Sequence, residues 1–341
     1  MTQTFRPKII AEIGNSHEGS LGIALSMIDM ACYSGADLVK FQLHISEFES
    51  TDNEPFRTNS FRQDKTRKEY WDRTSFTTEQ WIEIKSYCDL KGIEFLCSPF
   101  SLEAAKFLSD YDLIKRWKLG SGEITNFELI DFVFKSKKEV LISTGLANEN
   151  DLDTTIARIR NNHDINKLVL MHCVSQYPTE SKFAALNLIH EYINKFNIRV
   201  GHSDHSGKLT TCEYILTLPI EYLELHLTPS KLFFGPDVSS SLTVEELKTL
   251  VKYNKDIEVL RSSNLSRDQL YQMSLETATI FRKGLYWDTD LPQDSIIERK
   301  HVYIGKPKGE IDASEIISLI GKKIKKSVNY REPVKFEDFY Q

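Results

Sequence analysis

The sequence predicts an α/β protein: a (β/α)8 TIM barrel over residues 1–265, a linker at 266–281, and a small β-rich domain at 282–341. Three observations carry this. Short β-rich runs alternate eight times with segments of helical period, the alternation that builds a parallel sheet with helices outside it. Each of the eight runs ends on polar residues, as strands do when their C-terminal ends form a mouth. After residue 282 the pattern changes to short apolar pieces separated by turns.

The predicted strands are Lys8–Ile13, Ala36–Gln42, Glu94–Pro99, Leu113–Leu119, Glu139–Thr144, Lys167–Val174, Ile198–His202 and Tyr222–Leu227. Between them, Leu21–Tyr33 places Leu21, Leu25, Ile28 and Cys32 at helical spacing, and Gly35 supplies a stop. Thr78–Lys91, Leu102–Tyr111, Phe127–Ser136, Glu149–Asn161, Ala184–Phe196, Leu209–Leu218 and Thr243–Arg261 read the same way. One connection breaks the rhythm. Glu47–Phe76 is long, charged and aromatic, the character of a lid or binding loop. Past the barrel, Ser262–Gln269 is polar and Glu276–Phe281 is a candidate short helix. Gly284–Trp287, Asp294–Ile297, Val302–Ile304 and Ala313–Ile320 follow, with turns at Asp290, Pro292 and Pro307. A domain this small is marginal alone and gains from docking on something.

Composition narrows the function. Hydrophobic residues make up 40% and charged residues 27%, and 43 Lys and Arg against 49 Asp and Glu leave a net charge of -6. Such a surface has no general attraction for nucleic acid or anionic membrane, so no nucleic-acid or membrane partner is expected, and an anionic ligand needs a local basic site. The lysines of 321–326 read as a solvated face. The start lacks the apolar core of a signal peptide and no apolar run of about 18 residues follows, so a cytoplasmic location is expected. Five cysteines, odd in number and without a CxxC pair, argue for reduced thiols over a disulfide framework or structural zinc.

The strand ends supply the chemistry. They carry Glu12, Lys40 and Gln42, Ser98, Lys118, Ser121 and Glu123, Ser143 and Thr144, His172, His205, and His226. Lysine is almost never fully buried unpaired, so Lys40 and Lys118, each ending an apolar run, call for an anion. With the hydroxyls of Ser98, Ser121, Ser143 and Ser203 they suit a small phosphorylated carboxylate. His205 and His226 can hold one divalent cation and leave positions open to water and substrate, with Asp204, Asp237 and Glu224 as further ligands or supports. Glu12 and Glu123 suit sugar hydroxyls or proton transfer, or else neutralise the lysines.

Ordered motifs add a resemblance. Ala11–Gly19 (AEIGNSHEG), Ala36–Gln42 (ADLVKFQ), Ser98–Phe100 (SPF), Lys118–Asn126 (KLGSGEITN), Leu141–Gly145 (LISTG), His172–Pro178 (HCVSQYP), Gly201–Ser206 (GHSDHS), Glu224–Thr228 (ELHLT) and Gly235–Asp237 (GPD) resemble the sialic acid (nonulosonic acid) synthases. Arg282–Tyr286, Gly305–Ile311 and Pro333–Val334 are similar to that family's antifreeze-like (SAF) domain. The resemblance implies condensation of phosphoenolpyruvate with an N-acyl amino sugar of the mannosamine type, releasing phosphate. It implies Mn2+ or Mg2+ on His205 and His226, and a homodimer in which the C-terminal domain covers the partner's barrel mouth. It assigns Lys40, Ser98, Lys118, Ser121, Ser143, Ser175, Ser203 and Lys283 to phosphoenolpyruvate, Glu12, Tyr177, Asp237 and Lys306 to the sugar, and Glu123 to proton transfer.

The chain departs from the family wording in four places. Ser175 stands where many members have Asn, and Lys306 where an Arg usually precedes Pro, which removes a bidentate fork. Lys308 replaces the Gly after that Pro, and Asn15–Glu18 replaces the commoner Asn-His-Asn-Gly. Two alternatives follow. One is a phosphoenolpyruvate-dependent synthase acting on a phosphorylated sugar, whose extra charge Arg57, Arg62, Lys65 and Arg67 would meet. The other is an inactive sugar-binding homologue, against which Lys40, Lys118, Glu123, His205 and His226 stand together, since a binding module needs no such set.

Overall fold

The computed structural model describes residues 6–57 and 63–340. They fall into two compact units that divide between Ser262 and Ser263. In the first unit the elements are, in chain order, β1 Lys8–Gly14, α1 Leu21–Ser34, β2 Leu38–Leu43, α2 Ser46–Glu49, α3 Arg67–Thr74, α4 Thr78–Lys91, β3 Glu94–Pro99, α5 Leu102–Asp110, β4 Arg116–Leu119, α6 Phe127–Lys135, β5 Glu139–Ser143, α7 Glu149–Asn162, β6 Leu168–Cys173, α8 Asn187–Phe196, β7 Arg199–Asp204, α9 Leu209–Ile215, β8 Tyr222–Thr228, β9 Ser241–Thr243 and α10 Val244–Ser262. The long strands pair in the order β3-β2-β1-β8-β7-β6-β5-β4, all parallel, and β3 and β4 approach across the remaining gap. This is the expected (β/α)8 barrel, nearly closed. The short β9 pairs beside β8.

Local chemistry explains the helix ends. Ser20 caps α1 by accepting from the Ile23 amide, and Gly35 ends it in the left-handed conformation at φ 83°. Thr77 with Gln80, and Asn148 with Asp151, make capping boxes that start α4 and α7. Where boundaries differ from expectation, the backbone gives the reason. α8 begins at Asn187 because Ala185 takes φ 47°, which no α-helix passes through. β4 begins at Arg116 because Asp112 turns at φ 47° and the Ile114 carbonyl accepts from Lys138 (2.7 Å). The 47–76 excursion holds α2 and α3, the latter started by a Thr66–Glu69 capping box. Arg62 lies outside the described residues.

The barrel interior is layered, with inward residues two apart along each strand. At the base, Arg116 binds Glu94 (2.5 Å), Glu139 and the Tyr222 hydroxyl, while Arg199 binds Glu139 (2.6 Å) and Glu221 (3.1 Å). Above it Ile10, Leu38, Leu96, Leu141, Val169, Met171 and Tyr222 form one apolar layer. Two residues further along come Glu12, Lys40, Ser98, Ser143, Cys173 and Glu224, the floor of the mouth. A larger apolar cluster seals the strands against the outer helices.

The second unit contains α11 Arg267–Met273, α12 Leu275–Phe281, β10 Gly284–Trp287, β11 Val302–Gly305 and α13 Ile316–Leu319. A Ser266–Gln269 capping box starts α11, so the expected linker is mostly helical. β10 and β11 pair antiparallel, isolated bridges such as Leu291 with Val328 extend the β character, and Leu285, Trp287, Ile311, Ile324 and Val334 form a separate core.

Arg116→Ala leaves the half-buried Glu94 without its cation and Glu139 with Arg199 alone. It should lower the stability of the barrel by about 1–3 kcal/mol, read as an earlier denaturant midpoint in the barrel's transition; an unmoved midpoint would remove this network from what closes the base.

Candidate active site

A cavity of about 370 Å3 opens at the C-terminal ends of the strands. It brings together Glu12, Lys40, Ser98, Lys118, Ser121, Ser143, Ser175, Tyr177, Ser203, His205, His226 and Asp237 of the expected residues. Three others are elsewhere. Glu123, in a short 3-10 turn after β4, does not line the cavity; its carboxylate accepts from Asn126 (2.7 Å) and burial raises its pKa. Lys283 and Lys306 belong to the second unit, where Lys306 lies over the Phe281 ring at 4.9 Å. Three strand-end residues also leave the mouth, Thr144 among them. His172 points to the opposite face of β6, with Nε2 2.9 Å from the Ala184 carbonyl, and Asp204 accepts from the Ser206 amide (3.0 Å) and hydroxyl (2.8 Å) to shape the turn after β7.

The floor is a buried charge cluster. Lys40 Nζ lies 3.1 Å from Glu12, 3.2 Å from Glu224 and 3.3 Å from the Ser98 hydroxyl. Lys118 Nζ donates to Ser143 (2.7 Å) and lies 3.4 Å from Glu224, whose same oxygen accepts from Ser203 (3.0 Å). Both lysines are at most 4% exposed. Burial opposes the charge on Lys40, but Glu12 and Glu224 outweigh it and raise its pKa. Burial wins at Lys118, lowering its pKa against the pull of Glu224. Burial alone would raise Glu224; Lys118 and Lys40 together hold it down instead. Glu224 Oε2 and Glu12 Oε2 are buried with no hydrogen-bond partner, so the cluster keeps acceptor capacity for a donor that enters.

At one wall, the rings of His205 and His226 lie 5.6 Å apart. His205 Nδ1 is 2.9 Å from the Val174 carbonyl, which sets the proton there and leaves the Nε2 lone pair to accept from the Tyr177 hydroxyl (3.2 Å). Burial, with His226 alongside, lowers His205 to about 4, so its ring is neutral at pH 7. Neutral imidazole is the form that binds a metal. Among the described residues no group of three or more His, Cys, Asp and Glu side chains is gathered to hold an ion. The two histidines therefore fit only an open site, with water and substrate completing the coordination. Asp237 completes this wall: burial opposes its charge, but His226 and Arg57 keep its pKa low.

The sequence offered Arg57 and Arg67 only for a phosphorylated acceptor, and other lining residues carried no separate signal. Arg57, from the 47–76 excursion, pairs with Asp237 and lies 4.1 Å above the Tyr177 ring; Arg67, also lining, pairs with Glu54 (3.1 Å). Asn15, Tyr70, Trp71, Phe100 and Leu146 line the cavity as well. The one usable hint was the aromatic and basic content of 47–76. All five cysteines are free.

The NeuB family model matches residues 27–265. The chain is 27% identical over 95% of its length to the N,N'-diacetyllegionaminic acid synthase of Campylobacter jejuni, 97% of which is covered. It is 29% identical over 93% of its length to the human N-acetylneuraminate-9-phosphate synthase, covering 88% of that chain. Among solved structures, the N-acetylneuraminic acid synthetase of Leptospira borgpetersenii, in complex with citrate, superposes with a TM-score of 0.66 at 26% identity, over 80% of this chain and 92% of that one.

Glu224→Gln takes the shared anion from two buried lysines and should destabilise the barrel by about 3–5 kcal/mol at pH 7. Because Glu224 is held below the ordinary 4.5, its contribution is complete above that value and fades as the pH falls below it. Urea titrations of the two proteins should thus give a constant gap above about pH 5 that narrows in acid; a gap that widens in acid would contradict the assignment.

Proposed function

Since the chain belongs to the NeuB family, we propose that it is a nonulosonic acid synthase, condensing phosphoenolpyruvate with an N-acyl sugar of the mannosamine type and releasing phosphate. The observation that carries this reading is the pair of buried lysines, ringed by serine hydroxyls, in one cavity with two imidazoles. A small ligand bearing both phosphate and carboxylate needs that combination of fixed cations and neutral donors. The relatives named as synthases of diacetyllegionaminic acid and of N-acetylneuraminate 9-phosphate support a product of this class.

In this reading Lys40 and Lys118 face the phosphate and carboxylate, and Ser98, Ser121, Ser143, Ser175 and Ser203 donate to their oxygens. Ser175 and Ser121 hydroxyls, 3.3 Å apart, act as one short donor pair. Glu12, Tyr177 and Asp237 hold the acceptor, and Glu123, the candidate for proton transfer, takes that part once its carboxylate turns from Asn126 to the cavity. C3 of phosphoenolpyruvate forms the new carbon–carbon bond to the aldehyde carbon of the open-chain sugar, whose oxygen takes up a proton. Water adds at C2 and loses a proton, and phosphate leaves with the C2–O bond. A divalent cation on His205 and His226, Mn2+ or Mg2+, would polarise the aldehyde.

The same reading makes the second unit antifreeze-like and the enzyme a domain-swapped homodimer, with Lys283 of the partner subunit at phosphoenolpyruvate and Lys306 of the partner subunit at the sugar. The exposed apolar side chains of Met273, Ile280 and Phe281 support a partner for that unit. A phosphorylated acceptor is a second reading, favoured by Arg57 and Arg67 in the cavity lining. Each already faces a carboxylate, Asp237 or Glu54, so a free sugar is the first choice.

Purified protein with Mn2+ should release phosphate from phosphoenolpyruvate when given one of a panel of N-acyl hexosamines, including diacetamido-hexoses; no release with any of them would end the proposal. His205→Ala and His226→Ala should each lower turnover by more than the roughly 10–100-fold that losing an outer partner of a metal ligand costs, with the fold intact by circular dichroism. Free acceptors should be turned over faster than their 6-phosphates, and the reverse order would establish the second reading.

A further inference from the structure

A partly buried hydrogen-bonded chain leads away from the Glu12 carboxylate to groups outside the cavity. Gln42 Nε2 lies 2.7 Å from Glu12 Oε1, the oxygen that also meets Lys40. Gln42 Oε1 lies 3.2 Å from His44 Nε2, and His44 Nδ1 lies 2.6 Å from Glu49 Oε1. The His44 ring is clamped between Trp71, 3.7 Å away at an interplanar angle of 9°, and Phe100, 4.3 Å away at 17°. Gln42, Trp71 and Phe100 line the cavity; His44 and Glu49 do not.

The chain has one self-consistent direction. A Gln42 amide turned the other way would set its carbonyl against the Glu12 carboxylate, so the N–H faces Glu12 and the carbonyl faces His44. That carbonyl can only accept, so His44 carries a proton on Nε2. Its Nδ1, at 2.6 Å from a carboxyl oxygen, then accepts from a protonated Glu49. The environment agrees: burial, with Glu54 near, raises Glu49 to about 8, and burial, with Arg67 near, lowers His44 to about 3. Every proton in the series points toward Glu12.

We propose that His44 and Glu49, acting through Gln42, are positioning residues that fix the Glu12 carboxylate and thereby the fit of the amino-sugar acceptor. The proposal rests on the reading of Glu12 as a sugar contact. Glu12 Oε1 also meets Lys40, but Glu224 holds that lysine independently and none of the three residues contacts it, so the larger part of their influence falls on the acceptor. The flat sandwich makes the ring's orientation a consequence of α3 packing on the barrel, so the excursion from 47 to 76 sets a hydrogen bond at a residue it does not touch. The charged and titratable groups facing the pair are Glu54, Arg67, His17 on the His44 side, Glu123 on the Glu49 side and, through Gln42, Glu12. As the pH rises past the Glu49 value its proton is lost, the series loses its outer donor, and acceptor binding weakens.

The test is steady-state kinetics on the full-length enzyme with both substrates varied, beside 15N NMR of histidine-labelled protein. His44→Phe keeps an aromatic ring in the sandwich and should raise the KM for the amino sugar about tenfold while leaving that for phosphoenolpyruvate within about twofold. The wild-type sugar KM should rise above about pH 8; Glu49→Gln, a neutral donor with no proton to lose, should flatten that rise, and Glu49→Leu should raise the KM at every pH. NMR should show His44 neutral with its proton on Nε2, the signal being assigned by its loss in His44→Phe. An unchanged sugar KM in His44→Phe, equal changes in both KM values, or a proton on Nδ1 would overturn the proposal. Wild-type protein that turns over no amino sugar would instead remove the functional reading, and the tautomer would then decide the chain by itself.

Discussion

The carboxylate of Glu224, held between two buried ammonium groups, is the interaction on which the mouth of this barrel depends. Lys40 and Lys118 project from different strands into the buried floor of the cavity, where an ammonium without a counter-charge is costly. One shared anion, with Glu12 as a second, makes the cluster close to neutral. The hydroxyls of Ser98, Ser143 and Ser203 take the remaining hydrogen bonds, so the positions of several strand ends are tied to one electrostatic solution. On the proposed reading, an incoming dianion would meet cations already desolvated and fixed, with little rearrangement left to do.

Strand parity explains what was legible in the sequence and what was not. Eight runs that turn from apolar to polar gave away the barrel and most of its floor, because inward positions recur every second residue and only the last of them reaches the mouth. Polar character at a strand end was not sufficient. Met171 and Cys173 face inward on β6, so His172 between them faces out; Ser203 faces inward on β7, and His205, two residues on, returns to the mouth. Counting parity from the apolar layer would have separated the two histidines. No such rule reaches Arg57 or the Trp71–His44–Phe100 stack, which depend on how residues 47–76 fold back on the barrel. Glu123 missed the lining because the tight turn that carries it hands its carboxylate to Asn126.

That excursion and the barrel divide the labour. The barrel supplies the charges and hydroxyls of the floor, those proposed for a small anion. Residues 47–76 add the groups facing the other side of the cavity, Arg57, Arg67, Tyr70 and Trp71. They are pinned to the barrel by Arg73, which binds Glu18 (3.0 Å) in the loop after β1 and Asp64 (2.9 Å). A loop on a rigid scaffold can change its side chains without disturbing the core beneath it, so acceptor preference can drift while the reaction chemistry stays in place.

β8 runs from the base of the barrel to its mouth. Tyr222 joins the charged base, Glu224 anchors the lysines and His226 stands in the imidazole wall, each two residues beyond the last. Its register is set on both sides, by Lys8 to Glu12 of β1 and by His202 to Asp204 of β7. A slip of a single residue would turn all three side chains to the outer face at once. Such a protein would lose its base, its floor and its imidazole pair together, so a misregistered chain with partial activity has no place in this architecture. An assembly error in this strand therefore cannot spare one level of the interior at the expense of another.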